Sequence, residues 1–303
     1  MKEKKVLVTG GAGFIGSHLV EELTKENDVT VVDNLYTGKK ENIPDGVNFI
    51  EADISDSSSL EVLEKQDMIF HLAAQTSVLR SVEDPRTDFK YNVLGTLNVL
   101  ELAKKWKCKI VYSSSCAVYG DAIREPVDEE HPLHPKAPYA ATKLAAEKLI
   151  EAYSHSYGIK AACLRFFNVY GPRQSGDYAG VVSIFLKKAM KNQDLTIFGD
   201  GKQYRDYVYV KDVVKALIAS AEKDCQLIIN VGTGKGTSVN EIADMVLKAS
   251  GADVEIVHKP EKPGESRGIY ADITVLKDSL GFAPEMILKD GIKNTYAWIK
   301  HNG

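Results

Sequence analysis

The chain has 303 residues, 44% hydrophobic and 26% charged, with 38 Lys and Arg against 42 Asp and Glu and a formal net charge of −4. This composition excludes a disordered, collagen-like or miniature disulfide-stapled chain, and at roughly 150 residues per domain it admits one large or two modest domains. The mild acidity gives no basic field for nucleic acid or an anionic membrane, and no apolar run reaches the roughly 18 residues that a membrane helix needs. Cys108, Cys116, Cys163 and Cys225 form no C-x-x-C pair, which argues against a metal site and for reduced thiols in a cytoplasmic setting.

Lysines before Val6 superficially suggest a secretory leader, but Thr9 and the glycines interrupt the apolar run, so MKEKKVLVTG reads as a first strand and a turn. Further strand-length apolar runs lie at 29–32, 47–50, 68–70, 109–112 and 162–166. Between them, Ser58-x-x-Glu61 reads as a capping box opening a helix, Leu94 to Lys105 continues another, and Pro138 to Tyr157 runs to a stop at Gly158. Strands separated by helices pair in parallel through right-handed crossovers, which predicts a doubly wound α/β domain over 1–167. After Asn168 the texture becomes loop-rich, with breaks at 170–177, 199–201 and 259–264. Helices are predicted over 180–192, 211–222, 238–250 and 289–301, with a strand over 227–231. The expectation is a smaller mixed α/β domain, 168–303, over the mouth of the first, with the chain returning to the large domain around 206–231.

Gly10, Gly13 and Gly16 directly follow the first strand and open the first helix. Gly10 suits a tight turn, Gly13 lets the backbone approach a pyrophosphate, and Gly16 lets the helix pack on the sheet, so the helix end faces the phosphates. Asp33 ends the second strand, where a carboxylate holds ribose hydroxyls and repels a 2′-phosphate; this favours NAD. Asp53, after the third strand, either caps the adenine end or caps a helix beside Ser55.

Tyr139 and Lys143 stand at i and i+4, on one face of the helix that Pro138 begins. A free phenol has a pKa of about 10, and a neighbouring ammonium favours the phenolate. Ser115 ends the fifth strand, at the edge where α/β sheets bind ligands, and can share a hydrogen bond with the same substrate hydroxyl.

These features occur in order with TGGAGFIGSHL, VVDN, HLAAQ, VYSSSCAVYG, PYAATK, LRFFNVYGP and RDYVYVKD. The series resembles the extended short-chain dehydrogenase/reductase family over nearly the whole chain, above all its NAD-dependent nucleotide-sugar epimerases and dehydratases. The resemblance implies a Rossmann sheet and a UDP-hexose substrate oxidised and re-reduced at C4 by a returning hydride. Tyr139 would be the base, Lys143 would lower its pKa and hold the nicotinamide ribose, and Ser115 would polarise the reacting oxygen. Phe14, Ile15, Asn34, Ile54, Leu72, Ala73, Ala74, Gln75, Asn92, Ser113 and Phe167 would line the cofactor.

The family's dehydratases place an acidic residue or an Asp-Glu pair directly after the Ser/Thr, and its decarboxylases keep a Glu there. This chain has Cys116 and Ala117, which leaves epimerisation. Cys116 reads as a small buried residue rather than a nucleophile. The resemblance assigns Arg205 and Arg267, the latter in Gly264-Glu265-Ser266-Arg267, to the diphosphate, against a salt bridge with Asp206 and a solvated loop charge respectively. It assigns Asn168 to diphosphate or sugar, Val181, Val182 and the 195–198 segment with Phe198 to the uracil, and Ile269 to a gate that leaves plain and N-acetylated hexoses both open. Thr76 stands where the best-known epimerases have a lysine near the pyrophosphate, which implies weaker cofactor retention. Ala140, Ala141, Ala145 and Ala146 and the 88–105 segment imply a homodimer. The other readings are a 4-keto-sugar reductase or related nucleotide-sugar oxidoreductase, and a non-catalytic NAD-binding scaffold.

Overall fold

The computed structural model describes residues 1–174, 180–225, 227–261 and 267–302. The apolar runs become strands β1 (Lys5–Thr9), β2 (Asp28–Asp33), β3 (Asn48–Glu51), β4 (Met68–His71), β5 (Lys109–Ser115) and β6 (Ala161–Phe166). A short strand β7 (Asn168–Tyr170) follows, then β8 (Leu195–Phe198), β9 (Tyr204–Tyr209), β10 (Ile228–Val231), β11 (Gly236–Ser238), β12 (Ile256–Lys259) and β13 (Gly268–Ile269). The large sheet is parallel, in the order β10-β6-β5-β4-β1-β2-β3, so the chain crosses back to it after building part of the second unit. This is the doubly wound order, with the crossing point between β1 and β4 where the first connection leaves one face and the next leaves the other.

Strand alternation divides the core. Val6 and Val8 face one layer with α1 (Phe14–Leu23) and α7 (Val210–Glu222), whereas Leu7, Ile69, Ile110 and Tyr112 face α4 (Gly95–Trp106) and α5 (Pro138–Tyr157). A separate core joins β7, β8 and β9 to α6 (Val181–Met190), α8 (Val239–Ser250) and α10 (Leu288–Asn302). The remaining helices are α2 (Val78–Glu83), α3 (Pro85–Phe89) and α9 (Thr274–Leu280), and residues Lys90–Leu94 form a π-turn leading into α4.

Local chemistry explains most boundaries and one miss. Pro138 opens α5 at its first turn and Gly158, at φ +67°, closes it in the left-handed conformation. Ser58-x-x-Glu61 does not open a helix. The Asp56 carboxylate accepts from Ser58 N at 3.0 Å and Ser58 Oγ at 2.7 Å, which makes Asp56 the cap of a single 3₁₀ turn, Ser57–Leu60, with Glu61 at its end. The same spacing at Ser238 and Glu241 does make a reciprocal capping box, at the start of α8. The short antiparallel β11–β9 pair and the parallel additions of β7 and β13 to β9 were not foreseen, because strands of two or three residues carry too little period to read. Residues 175–177 of the expected loop and 262–264 of the expected break lie outside the described residues.

Candidate active site

The glycine turn between β1 and α1 is shaped by close backbone approach. Gly10 has φ +74°, and a Cβ there would lie 2.5 Å from Ala73 N; a Cβ on Gly16 would lie 2.1 Å from Gly10 O. At Gly13 a Cβ would meet only Gly10 O, at 3.3 Å, so that residue's outer side is open to a ligand. Asp33, at the end of β2, accepts from Ala12 N at 2.9 Å and from Leu35 N at 2.8 Å, which fixes the carboxylate beside the turn while burial raises its pKa. Two backbone bonds leave lone pairs for two ribose hydroxyls. Below the turn, His71 is wedged between Thr9 Oγ1 at 2.7 Å and Thr96 Oγ1 at 2.9 Å, and burial pushes it down to about 3, so it is neutral structure and not an acid.

A cavity of about 350 Å³ runs along the carboxyl ends of the strands from this turn to α5, a size suited to a bound small molecule. Its lining brings together Gly10, Gly13, Phe14, Ile15, Gly16, Asp33, Asn34, Asp53, Ile54, Leu72, Ala73, Ala74, Ser113, Ser115, Tyr139, Lys143 and Phe167. Asp53 Oδ1 accepts from Ser55 N at 2.9 Å and Ser55 Oγ at 2.6 Å, so it organises its own turn while still facing the cavity, and its Oδ2 pairs with Lys90 at 3.2 Å. Gln75 and Asn92 stand behind the wall. Gln75 N donates to Asn92 Oδ1 at 2.8 Å, Gln75 Nε2 to Asp88 at 2.7 Å, and Asn92 Nδ2 to Gln75 O, Asp88 and Thr142, a buried knot that ties α3 and the π-turn to α5.

At the far end, Tyr139 and Ser115 line the cavity together, and Ser115 Oγ accepts from Ala117 N at 3.2 Å. Lys143 is buried; its Nζ donates to Ser113 O at 2.7 Å and lies 4.7 Å from the Tyr112 ring centre. Burial pulls Lys143 down to about 8, against the opposing pull of Asp88 and Glu147. Burial pushes Tyr139 up to about 12, opposed by the neighbouring Ser115.

A second cavity of about 360 Å³ adjoins the first through Val169 and Gln174. Asn168, Val181, Val182 and Arg205 line it, with Tyr170, Gln203 and Tyr207. Arg205 does not use Asp206, since the two side chains leave opposite faces of β9. Asp206 is buried and accepts instead from Thr233 N, Thr233 Oγ1, Gly234 N and Ala271 N. Phe198, Arg267 and Ile269 are outside the lining of both cavities: Arg267 is exposed, and Ile269 packs with Val118, Tyr119, Val127, Phe167 and Ala271. Gly264, Glu265 and Ser266 of the Arg267 motif lie outside the described residues. Burial pushes the Cys116 thiol up to about 12, which removes it as a nucleophile.

Arg173 escaped the sequence reading. Its Nη2 pairs with Glu21 at 2.9 Å, its Nη1 is buried with no hydrogen-bond partner among the described residues, and the residue lines the first cavity together with Thr76. The signal was the Pro172-Arg173 step, which places a guanidinium after β7 and across from the glycine turn.

Residues 6–232 match the NAD dependent epimerase/dehydratase family. The chain is 47% identical, over 98% of its length and 99% of the relative's, to a Methanocaldococcus jannaschii protein that carries a provisional UDP-glucose 4-epimerase name. It is 41% identical to the Thermotoga maritima UDP-glucose 4-epimerase solved with UDP-glucose, with a TM-score of 0.95 over 98% of this chain and 99% of that one. It is 36% identical to the Methanobrevibacter ruminantium UDP-N-acetylglucosamine 4-epimerase solved with UDP-N-acetylmuramic acid, with a TM-score of 0.96 over 100% of each. The glycine cradle and Asp33 fit the dinucleotide that this family uses, and the chain belongs to the NAD-dependent epimerase/dehydratase family.

Proposed function

We propose that the protein is a UDP-hexose 4-epimerase that interconverts UDP-glucose and UDP-galactose, with the N-acetylhexosamine pair as further substrates. The observation that carries this reading is the placement of Tyr139, Ser115 and Lys143 together at one end of the dinucleotide cavity, beside Cys116 and Ala117, which offer no second acid or base. Bound NAD supplies reversible hydride transfer. Tyr139 Oη removes and returns the proton of the sugar's C4 hydroxyl, Ser115 Oγ holds the same oxygen, and Lys143 keeps positive charge beneath the pair. Because burial holds the free phenol high, the site favours the phenolate only once further positive charge, such as an oxidised nicotinamide, lies beside it.

The remaining assignments follow from position. Gly10 to Gly16 and Asp33 hold the pyrophosphate and adenosine ribose. Arg173 Nη1, buried and facing no hydrogen-bond acceptor among the described residues, supplies a charge-assisted bond to the pyrophosphate, a substitute for the lysine that Thr76 replaces. Arg205, Asn168, Val181 and Val182 form the nucleotide-sugar end, in the second unit over residues 168–303. Free, largely buried cysteines fit a cytoplasmic enzyme. A homodimer would use α5 with the 88–105 segment, where Phe89 and Leu94 are exposed beside Val78, Leu79 and Val82 of α2; Ala140 and Ala146 pack inside the subunit.

The test is product analysis over a panel of UDP-sugars. UDP-galactose or UDP-N-acetylgalactosamine should give its C4 epimer without net NADH. Consumption of one NADPH per sugar would instead identify a reductase, and binding without turnover a scaffold.

A further inference from the structure

A buried ion pair lies one helical turn beyond Lys143. Glu147, on α5, and Arg165, on β6, have side chains only 1% and 3% exposed, and they meet through both carboxylate oxygens: Arg165 Nε to Oε1 at 3.0 Å and Nη2 to Oε2 at 2.7 Å. Ser114 Oγ, on β5, adds a third bond to Glu147 at 2.5 Å. Beneath the guanidinium is the Tyr119 ring, with its centre 4.8 Å away, and Tyr119 OH accepts from Arg165 Nη1 at 3.0 Å.

Two arguments give this cluster a purpose. Taking both charges out of water costs several kcal/mol, so a buried pair is a poor device for stability and a good one for fixing a unique geometry. The geometry it fixes is that of the active site. Tyr139, Lys143 and Glu147 are spaced by four and share one face of α5, while Ser114 and Arg165 are register partners on the adjacent strands that end at Ser115 and Phe166. Glu147 thus pins the helix carrying the base to the strand carrying its serine partner, through bonds that come from both strands.

We propose that Glu147 is a positioning residue, held by Arg165 and Ser114, which sets the rotation of α5 on the sheet and so seats Tyr139 and Lys143 against Ser115. This role rests on the catalytic reading of those three residues. A displacement of about 1 Å at reacting groups costs about 100-fold in rate, so loss of the clamp is read in kcat.

The experiment compares Ser114→Ala, Glu147→Gln and the double variant Glu147→Leu/Arg165→Met with wild type and Tyr139→Phe. It measures kcat, KM for the UDP-sugar turned over, NAD affinity and melting temperature. Ser114→Ala should lower kcat about tenfold and Glu147→Gln about 100-fold, with KM and NAD affinity held within about twofold. The double variant, which removes both members of the pair together, should recover most of the melting temperature that Glu147→Gln loses without regaining kcat. Recovery of both together, or full kcat in Ser114→Ala and Glu147→Gln, would overturn the positioning role. If Glu147→Gln fails to fold, Ser114→Ala and the double variant decide. Turnover by Tyr139→Phe at the wild-type rate, or none by wild type on any UDP-sugar, would remove the catalytic reading and this role with it; an inactive Tyr139→Phe beside fully active Ser114→Ala and Glu147→Gln removes the positioning role alone.

Discussion

Lys143 carries its charge in a place that resists charge. In the unfolded chain it stays protonated up to about 10.5, and in the folded protein burial brings that down to about 8. Between those values the unfolded chain holds more protons, so stability rises with pH from about 8 to about 10.5, and the burial penalty is largest below 8. Lys143→Met should therefore stabilise the fold at pH 7 by on the order of 3 kcal/mol, seen as a higher melting temperature, and the gain should shrink toward pH 10.5. A variant less stable than wild type at pH 7 would contradict the origin assigned to the shift. Tyr139→Phe removes a proton carrier and little volume. Its kcat should fall by about 10²- to 10⁴-fold with NAD affinity nearly unchanged, as measured by calorimetry and initial rates; an equal loss in both would place Tyr139 in binding alone. The i, i+4 spacing and the strand end at Ser115 were enough to bring these residues together on paper. What spacing cannot give is the direction of a side chain: Lys143 turns to the Ser113 carbonyl, and burial, which depends on residues distant in sequence, decides the Tyr139 pKa.

At the scale of elements, the glycine turn and α5 are where residue choice is tightest. Gly16→Ala would drive a methyl into Gly10 O, so α1 must shift; we expect a loss of about 1–3 kcal/mol in urea melts together with weakened NAD binding. Gly158→Ala meets open space but a left-handed backbone, so it should cost about 1–2 kcal/mol and leave kcat intact. Equal activity loss in both variants would mean that the two glycines do not divide cofactor geometry from helix termination. The long elements were legible because each agreed with itself: apolar runs bounded by glycine or proline became the parallel strands, and Pro138 to Gly158 became one helix. The one clear failure came from competition: Asp56 took the donors of Ser58. Gln75 and Asn92 bond to Asp88, and Ile269 packs in a small apolar cluster around Phe167, partners that no local pattern announces.

The whole molecule is two cores that share a cleft, one built on the seven-stranded sheet and one on β7–β9 with α6, α8 and α10. Dinucleotide and sugar nucleotide would meet where the two cavities join, at Val169 and Gln174. The exposed face beside α5, with Leu79 70% and Phe89 57% exposed, should be covered in solution by a second copy. Sedimentation at micromolar concentration should give a dimer, and Leu79→Glu with Phe89→Glu should give a folded monomer; a wild-type monomer would remove the dimer. Substrate turnover, though, is where the account stands or falls. UDP-galactose deuterated at C4, incubated in ordinary water with the enzyme and a trace of NAD, should give UDP-glucose that still carries the deuterium at C4, with no build-up of NADH. Deuterium lost from the product, or NADH rising in step with sugar consumed, would contradict it.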